Sequence, residues 1–472
     1  MKRAFLAVLT VCACAAAVYG YTAARRERTF RLLIDRGDAA LAKDDTFAAI
    51  ESFSGAITLK DNSMLGYLKR GEAYRRRQQL DSTGKAPKFD PAADAALRDL
   101  RRAAALDPLA PRPLELLGDV NYTLLRYDRA IAEYQRYIEL DDRSPRVLYK
   151  LALAQYSAGR PLPAVAALQK AAGIDDRFAE AYYLLGLCFR DLQRPNESLR
   201  ALQTSVRLAP AMIHAREELA DLYRRLGRSD DRIGQLEALL GLDPGPSRLV
   251  ALGLAYARAG QFDRAITTLG HATERYPDHS YTYVALGRVW LEKAQPHPDR
   301  VDLSKALLAL QEAVGSDNSS EALMLFGRAL LLSQNAELAE TVLEQAADKL
   351  PVDPLAFYYL ADAAERRGHY QVARRALLDY RALQGDDRDP RRRGAMAARI
   401  ADLSVRTGDP AGAAGWYQQA IDASGAEPAL LLRAAEAQLA SGARDTARAT
   451  VQKVLEKDPA NRIALALLRR IK

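Results

Sequence analysis

Apolar residues in this chain recur at helical spacing in short blocks, and the blocks come in pairs. Leu114 and Leu117 lie in one block and Ile131, Tyr134 and Ile138 in the next, so each half carries one apolar face of a 3.6-residue period. Neither helix buries that face alone, and the pairing predicts helical hairpins. The hairpins repeat: Ala130, Ala164 and Ser198 step at intervals of 34 residues, each with a small residue twelve before it and a large apolar residue four after it.

Extended both ways, this frame counts twelve repeats, with first-helix small residues running from Gly37 and Gly71 through Gly118, Gly186, Gly253, Gly287 and Gly327 to Ala401 and Ala435. The second-helix positions, such as Ala49, Ala96, Ala265 and Ala306, are small as well, and Arg232 is the one clear departure. A small side chain lets two helix axes approach closely; a larger one overpacks, at ~1–3 kcal/mol. Prolines at Asp107-Pro108, Ala209-Pro210, Asp243-Pro244 and Asp458-Pro459 end second helices, because proline has no N–H for the preceding turn.

This pattern resembles the tetratricopeptide repeat family, over nearly everything from Phe30 to the C-terminus. The resemblance implies an all-α fold, a right-handed α-solenoid of about twelve helix-turn-helix units, with a concave wall built by the first helices. Stacked hairpins contact only their neighbours, so one elongated core accommodates the length of the chain. The expected organisation is a leader and basic linker over 1–29, the repeats over 30–461, and a capping helix over 462–472. Insertions interrupt the period near 77–90, 294–302 and 385–393 and read first as tolerated surface loops, because loops lengthen at little cost, with functional loops as the alternative.

The stretch Ala4–Tyr21 carries no charge and is flanked by Lys2 and Arg3 on one side and Arg25, Arg26 and Arg28 on the other. That is the pattern of an export signal or a membrane anchor, with Ala15 and Ala17 offering a cleavage site. Basic residues on both flanks leave orientation open. Cys12 and Cys14 read as apolar filler there, which leaves Cys188 as the sole cysteine of the repeat body and no internal disulfide.

The formal net charge is +8, of which residues 1–31 carry +5, leaving only +3 for the repeats. A nucleic-acid groove is therefore not expected. The run Arg391–Arg393 follows Asp386, Asp387 and Asp389 and reads as a self-compensated loop. No HExxH, GxxxxGK, GxSxG or paired CxxC motif occurs, and the five histidines scatter over separate repeats, so neither catalysis, cofactor nor metal is expected. The carboxylates read as solvent-facing.

In the third to fifth repeats, positions three before and four after the crossing residue hold Tyr122, Tyr149, Tyr156, Tyr183 and Arg190, with Arg146 nearby. Tyrosine beside arginine is the composition of protein-binding hot spots; the same rings equally pad helix contacts. A second strip takes Val250, Leu254, Tyr281, Val284, Met324 and Leu331 with Arg288 and Arg328, again as wall or as core. The asparagines that one subclass of the family uses to clamp chaperone termini are missing from these positions.

The expectation is a non-catalytic scaffold for protein or peptide ligands, exported across or anchored to a bacterial-type cytoplasmic membrane by its N-terminal segment, and organising an envelope complex. The alternative keeps the body in the cytoplasm as an anchored regulator of envelope biogenesis, against which the absence of any cysteine after Cys188 counts. An enzyme with an unrecognised site is the third reading, and homo-oligomerisation stays open.

Overall fold

A computed structural model describes residues 2–77, 90–295, 299–385 and 387–471, and among them every regular element is an α-helix. The chain forms two compact units, Met1–Leu226 and Gly227–Lys472. The division falls in the turn of the repeat whose second-helix crossing position holds Arg232.

The first unit contains α1 (Lys2–Ala42), α2 (Thr46–Leu59), α3 (Met64–Arg77), α4 (Pro91–Leu106), α5 (Pro111–Thr123), α6 (Tyr127–Leu140), α7 (Pro145–Ser157), α8 (Pro161–Ile174), α9 (Ala179–Asp191), α10 (Pro195–Leu208) and α11 (Ile213–Arg225). In the second lie α12 (Ser229–Leu242), α13 (Pro246–Arg258), α14 (Phe262–Arg275), α15 (Ser280–Lys293), α16 (Arg300–Ser316), α17 (Ser320–Leu332), α18 (Ala336–Ala347), α19 (Pro354–Arg367), α20 (Tyr370–Gln384), α21 (Pro390–Arg406), α22 (Pro410–Ser424), α23 (Pro428–Ala440), α24 (Arg444–Lys457) and α25 (Arg462–Ile471). Within each unit consecutive helices pack as hairpins, each hairpin lies against the next, and α25 covers α23 and α24.

The reason for the small residue in each first helix is visible in what it faces. A Cβ added at Gly186 would lie 2.6 Å from Leu202, and one at Gly253 would lie 2.6 Å from Leu269. In each case the intruder is the large residue four beyond the second-helix crossing position, so the two recurring features of the frame are one knob and its hole. Leu202, Leu269, Leu310 and Leu343 are all buried in this way. Most of the described hairpin turns share a second device, which the turn after α15 lacks. Seven residues after the crossing position the backbone turns left-handed, at Gly159 and Gly260 (φ 74° and 75°) but also at Leu125 and Gln193 (φ 57° and 58°). The following N–H then closes onto a carbonyl five back, as Arg126 N to Asn121 O at 2.9 Å.

The apolar stretch Ala4–Tyr21 lies within α1 and continues without a break into the first repeat helix. Its described side chains from Cys12 to Tyr21 are exposed. Arg26 donates to the Leu59 carbonyl and Glu27 pairs with Lys60, which ties α1 to the end of α2. Among the described residues no helix is long and apolar enough to cross a membrane. Most of the 77–90 insertion, His297 with its flanking prolines, and Asp386 lie outside the described residues.

One expectation about the surface is corrected. Glu115, Asp99 and Glu340 are not solvent-facing but buried. Each is held by cations: Asp99 accepts Arg70 Nε at 2.7 Å, and Glu340 accepts Arg367 Nη1 at 2.9 Å and faces His369 Nδ1 at 2.8 Å. A buried carboxylate survives only with such partners, and they come from a neighbouring helix that residue spacing alone does not identify.

Candidate protein-docking surface

The third, fourth and fifth repeats present α5, α7 and α9 side by side in the first unit. Glu115 and Asp119 on α5 both accept Lys150 Nζ of α7, at 2.6 and 2.9 Å. Arg112 adds a further bond to Glu115. Burial of the Glu115 carboxyl opposes its ionisation, but the Lys150 hydrogen bond and charge, joined by Arg112, outweigh it and hold the group below the usual carboxylate range. Tyr134 of α6 donates to Asp119 at 2.8 Å, so one carboxylate links three helices.

Over this ionic floor opens a cavity of 550 Å³, and it gathers three of the sequence candidates: Tyr122, Arg146 and Tyr149. Tyr122 and Tyr149 are half-buried. The Tyr122 hydroxyl lies 3.2 Å from Ser157 Oγ, and its ring meets Tyr127 at 5.5 Å. Tyr149 packs on Phe178 with ring centroids 5.2 Å apart. Arg146 stands at the mouth with its side chain 75% exposed and its Nε 4.0 Å from Glu115.

Tyr156 and Arg190 form a separate cluster. The Tyr156 hydroxyl donates to Asp191 at 2.8 Å and accepts Arg190 Nη2 at 3.2 Å, while Arg190 reaches Glu218 at 2.7 Å. Burial first, and then Asp191, push the Tyr156 phenol up to about 12. Tyr183 is half-buried against Leu202, Leu219 and Leu222. These rings are therefore packed and partly bonded, rather than exposed, because the neighbouring repeat supplies a partner for each.

The second strip divides. Val250, Val284, Met324 and Leu331 are buried and belong to the core, Leu254 is half-buried, and Tyr281 is exposed. Arg288 pairs with Glu321 of the next repeat, and Arg328 stands 5.7 Å from the centre of the Tyr359 ring. The second unit also holds a larger cavity, of 650 Å³, lined by Tyr358, Tyr359 and Tyr380. Sequence reasoning passed over these residues, although a Tyr-Tyr pair one helix before an insertion was the available signal.

Cys188 is buried, and its surroundings push the thiol up to about 12. No group of three or more potential metal ligands occurs among the described residues.

Comparison with known proteins follows the same residues. A tetratricopeptide repeat model matches 93–145, 189–246, 250–321 and 324–390, and a second matches 405–471. A model described as subunit 3 of the anaphase-promoting complex, or cyclosome, matches 123–205. No curated protein matches significantly. Among solved structures the chain is similar to the MamA protein, with 23% identity over 39% of this chain and 92% of that one and a TM-score of 0.34. It is also similar to Pseudomonas aeruginosa pilF, with 21% identity, 47% and 96% coverage and a TM-score of 0.36. A further similarity is to the Cut9-Hcn1 structure of the APC/C, with 13% identity, 94% and 96% coverage and a TM-score of 0.36.

Proposed function

The chain belongs to the tetratricopeptide repeat family, and from that premise we propose that it is a non-catalytic interaction scaffold whose first unit docks a protein or peptide partner around Tyr122, Arg146 and Tyr149. The observation that carries this is the 550 Å³ cavity, where aromatic walls and an exposed guanidinium meet. Pre-packed rings lose little entropy on binding, and an arginine at the rim selects for carboxylates. The remaining candidates Tyr156, Tyr183, Arg190, Tyr281, Arg288 and Arg328 serve in this reading to shape and support the wall.

A place at the cell envelope is proposed from the sequence alone, from the uncharged stretch Ala4–Tyr21 between its basic flanks. Neither a nucleic acid nor a cofactor has a role in it.

The test is crosslinking capture from native cells with the full chain and with Arg146→Glu. Selective loss of a partner in the variant supports the docking surface, and an unchanged partner set removes it. Protease accessibility of the repeats in intact spheroplasts separates an exported body from a cytoplasm-facing one.

A further inference from the structure

The spacing between the tenth and eleventh crossing residues, Ala361 and Ala401, is 40 residues instead of 34. The extra length goes into longer helices and the connection between them: α20 runs 15 residues and α21 runs 17. Where α19, α20 and α21 meet, the chain leaves the cavity of 650 Å³, within the ~300–1,000 Å³ range of ligand sites.

Its walls are aromatic. Tyr358 meets Tyr359 edge-on with centroids 5.5 Å apart, and Tyr358 meets Tyr380 at 5.5 Å. Leu355 and Met396 complete the apolar floor. None of the three phenol hydroxyls bonds to another described residue, and burial holds Tyr359 and Tyr380 above their ordinary value, so they stay protonated donors.

Basic groups occupy the mouth. Arg399 lies behind Tyr358, 5.5 Å from its centre, and is committed to Asp362 and Glu365. Arg392 and Arg393 are less committed. Arg392 is 77% exposed with Nε 3.7 Å from Asp389, and Arg393 gives Nη1 to the neutral carbonyl of Asp387 at 2.9 Å. Asp389 itself caps α21 by accepting the Arg391 N–H at 2.9 Å, and the Asp387 carboxylate accepts the Asp389 N–H at 2.9 Å. Both arginines stand on the first turn of α21, where the helix dipole adds positive potential.

The site thus offers hydrogen-bond donors, positive charge and an apolar floor, and few acceptors. We propose that this cavity binds an acidic peptide segment of a partner protein, seating an apolar side chain against Tyr358, Tyr359 and Tyr380 and a carboxylate on Arg392 and Arg393. The segment is complementary in both respects: its carboxylates match the arginines at the mouth and its side chain covers the rings. This site lies wholly in the second unit and does not rest on the docking surface of the first.

The experiment is fluorescence anisotropy with the full chain and labelled octapeptides. One probe alternates aspartate with phenylalanine, a second keeps the aspartates without phenylalanine, and a third replaces the aspartates by lysine. The first probe alone is expected to bind, and R392S/R393S is expected to weaken it at least tenfold with an unchanged circular dichroism melt. A second variant, Tyr380→Phe, which keeps the ring, is expected to weaken it severalfold. Binding of no probe, equal binding of the first two, complete displacement by N-acetyl-aspartate as a small anion, or indifference to R392S/R393S would each overturn the proposal.

Discussion

The Tyr134 ring occupies the space that a Cβ at Gly118 would fill, and its hydroxyl donates to Asp119, the residue next to that glycine, at 2.8 Å. The same construction recurs in the eleventh repeat. There Tyr417 donates to Asp402, beside the crossing residue Ala401, and Arg433 of the next repeat binds that carboxylate at 3.0 Å, as Lys150 binds Asp119. Where the knob is tyrosine, an aspartate one residue past the hole and a cation 31 residues further on satisfy its hydroxyl.

Tyr134→Phe keeps the knob and removes only the hydroxyl bond to a charged acceptor, which costs ~1.5–3 kcal/mol. A lowered urea midpoint for the full chain is the expected outcome. In a double-mutant cycle with Lys150→Met the two effects are expected to be non-additive, because both act through Asp119.

Knob-in-hole packing predicts opposite signs for two glycines of one hairpin. Gly253→Ala gains ~1 kcal/mol of helix propensity but drives a methyl into Leu269, at ~1–3 kcal/mol, and is expected to lower the melting temperature. Gly270 on α14 has open space around its missing Cβ, so Gly270→Ala is expected to raise it.

Glu115 gives the first unit an acid sensitivity whose sign follows from its depressed folded-state value. Its contribution is fully present above the unfolded carboxyl value of about 4.3 and is lost as pH falls through the lower folded value. Stability measured from neutral to acid pH should therefore decline less steeply in Glu115→Gln than in the parent chain.

Arg146→Glu is expected to change stability by no more than ~0.5 kcal/mol, as an exposed surface substitution, while abolishing capture of the partner. Tyr149→Ser and Tyr183→Ser behave differently. Those rings pack on Phe178 and on the Leu202 cluster, so both variants are expected to melt earlier whatever they do to binding.

Buried Cys188 should resist alkylation in the native chain and react only after denaturant. Mass spectrometry of the modified peptides reads this directly. The cause is double, since burial blocks access and raises the thiol, and the thiolate is the nucleophile.

The sequence by itself determined the helices, the twelve-fold frame and the family, because those follow from short-range rules: apolar period, small crossing residues, and proline after second helices. Even the left-handed turn that most of the described hairpins place seven after the crossing is local, though Leu125 and Gln193 conceal it by adopting a conformation that glycine usually marks, and the eighth repeat does without it, Ala294 standing at φ −68°. Only the tertiary structure decided which polar residues are free to act. Tyr156 is held by Asp191, Asp119 by Lys150 and Arg288 by Glu321, each partner lying 31–35 residues along the chain on the neighbouring repeat. Burial and pairing at that distance depend on how hairpins stack, which a hydrophobic pattern predicts in phase but not in side-chain register. For the same reason Tyr358, Tyr359 and Tyr380 look like ordinary repeat aromatics in the sequence, and become a cavity wall only where six extra residues lengthen two helices and their connection.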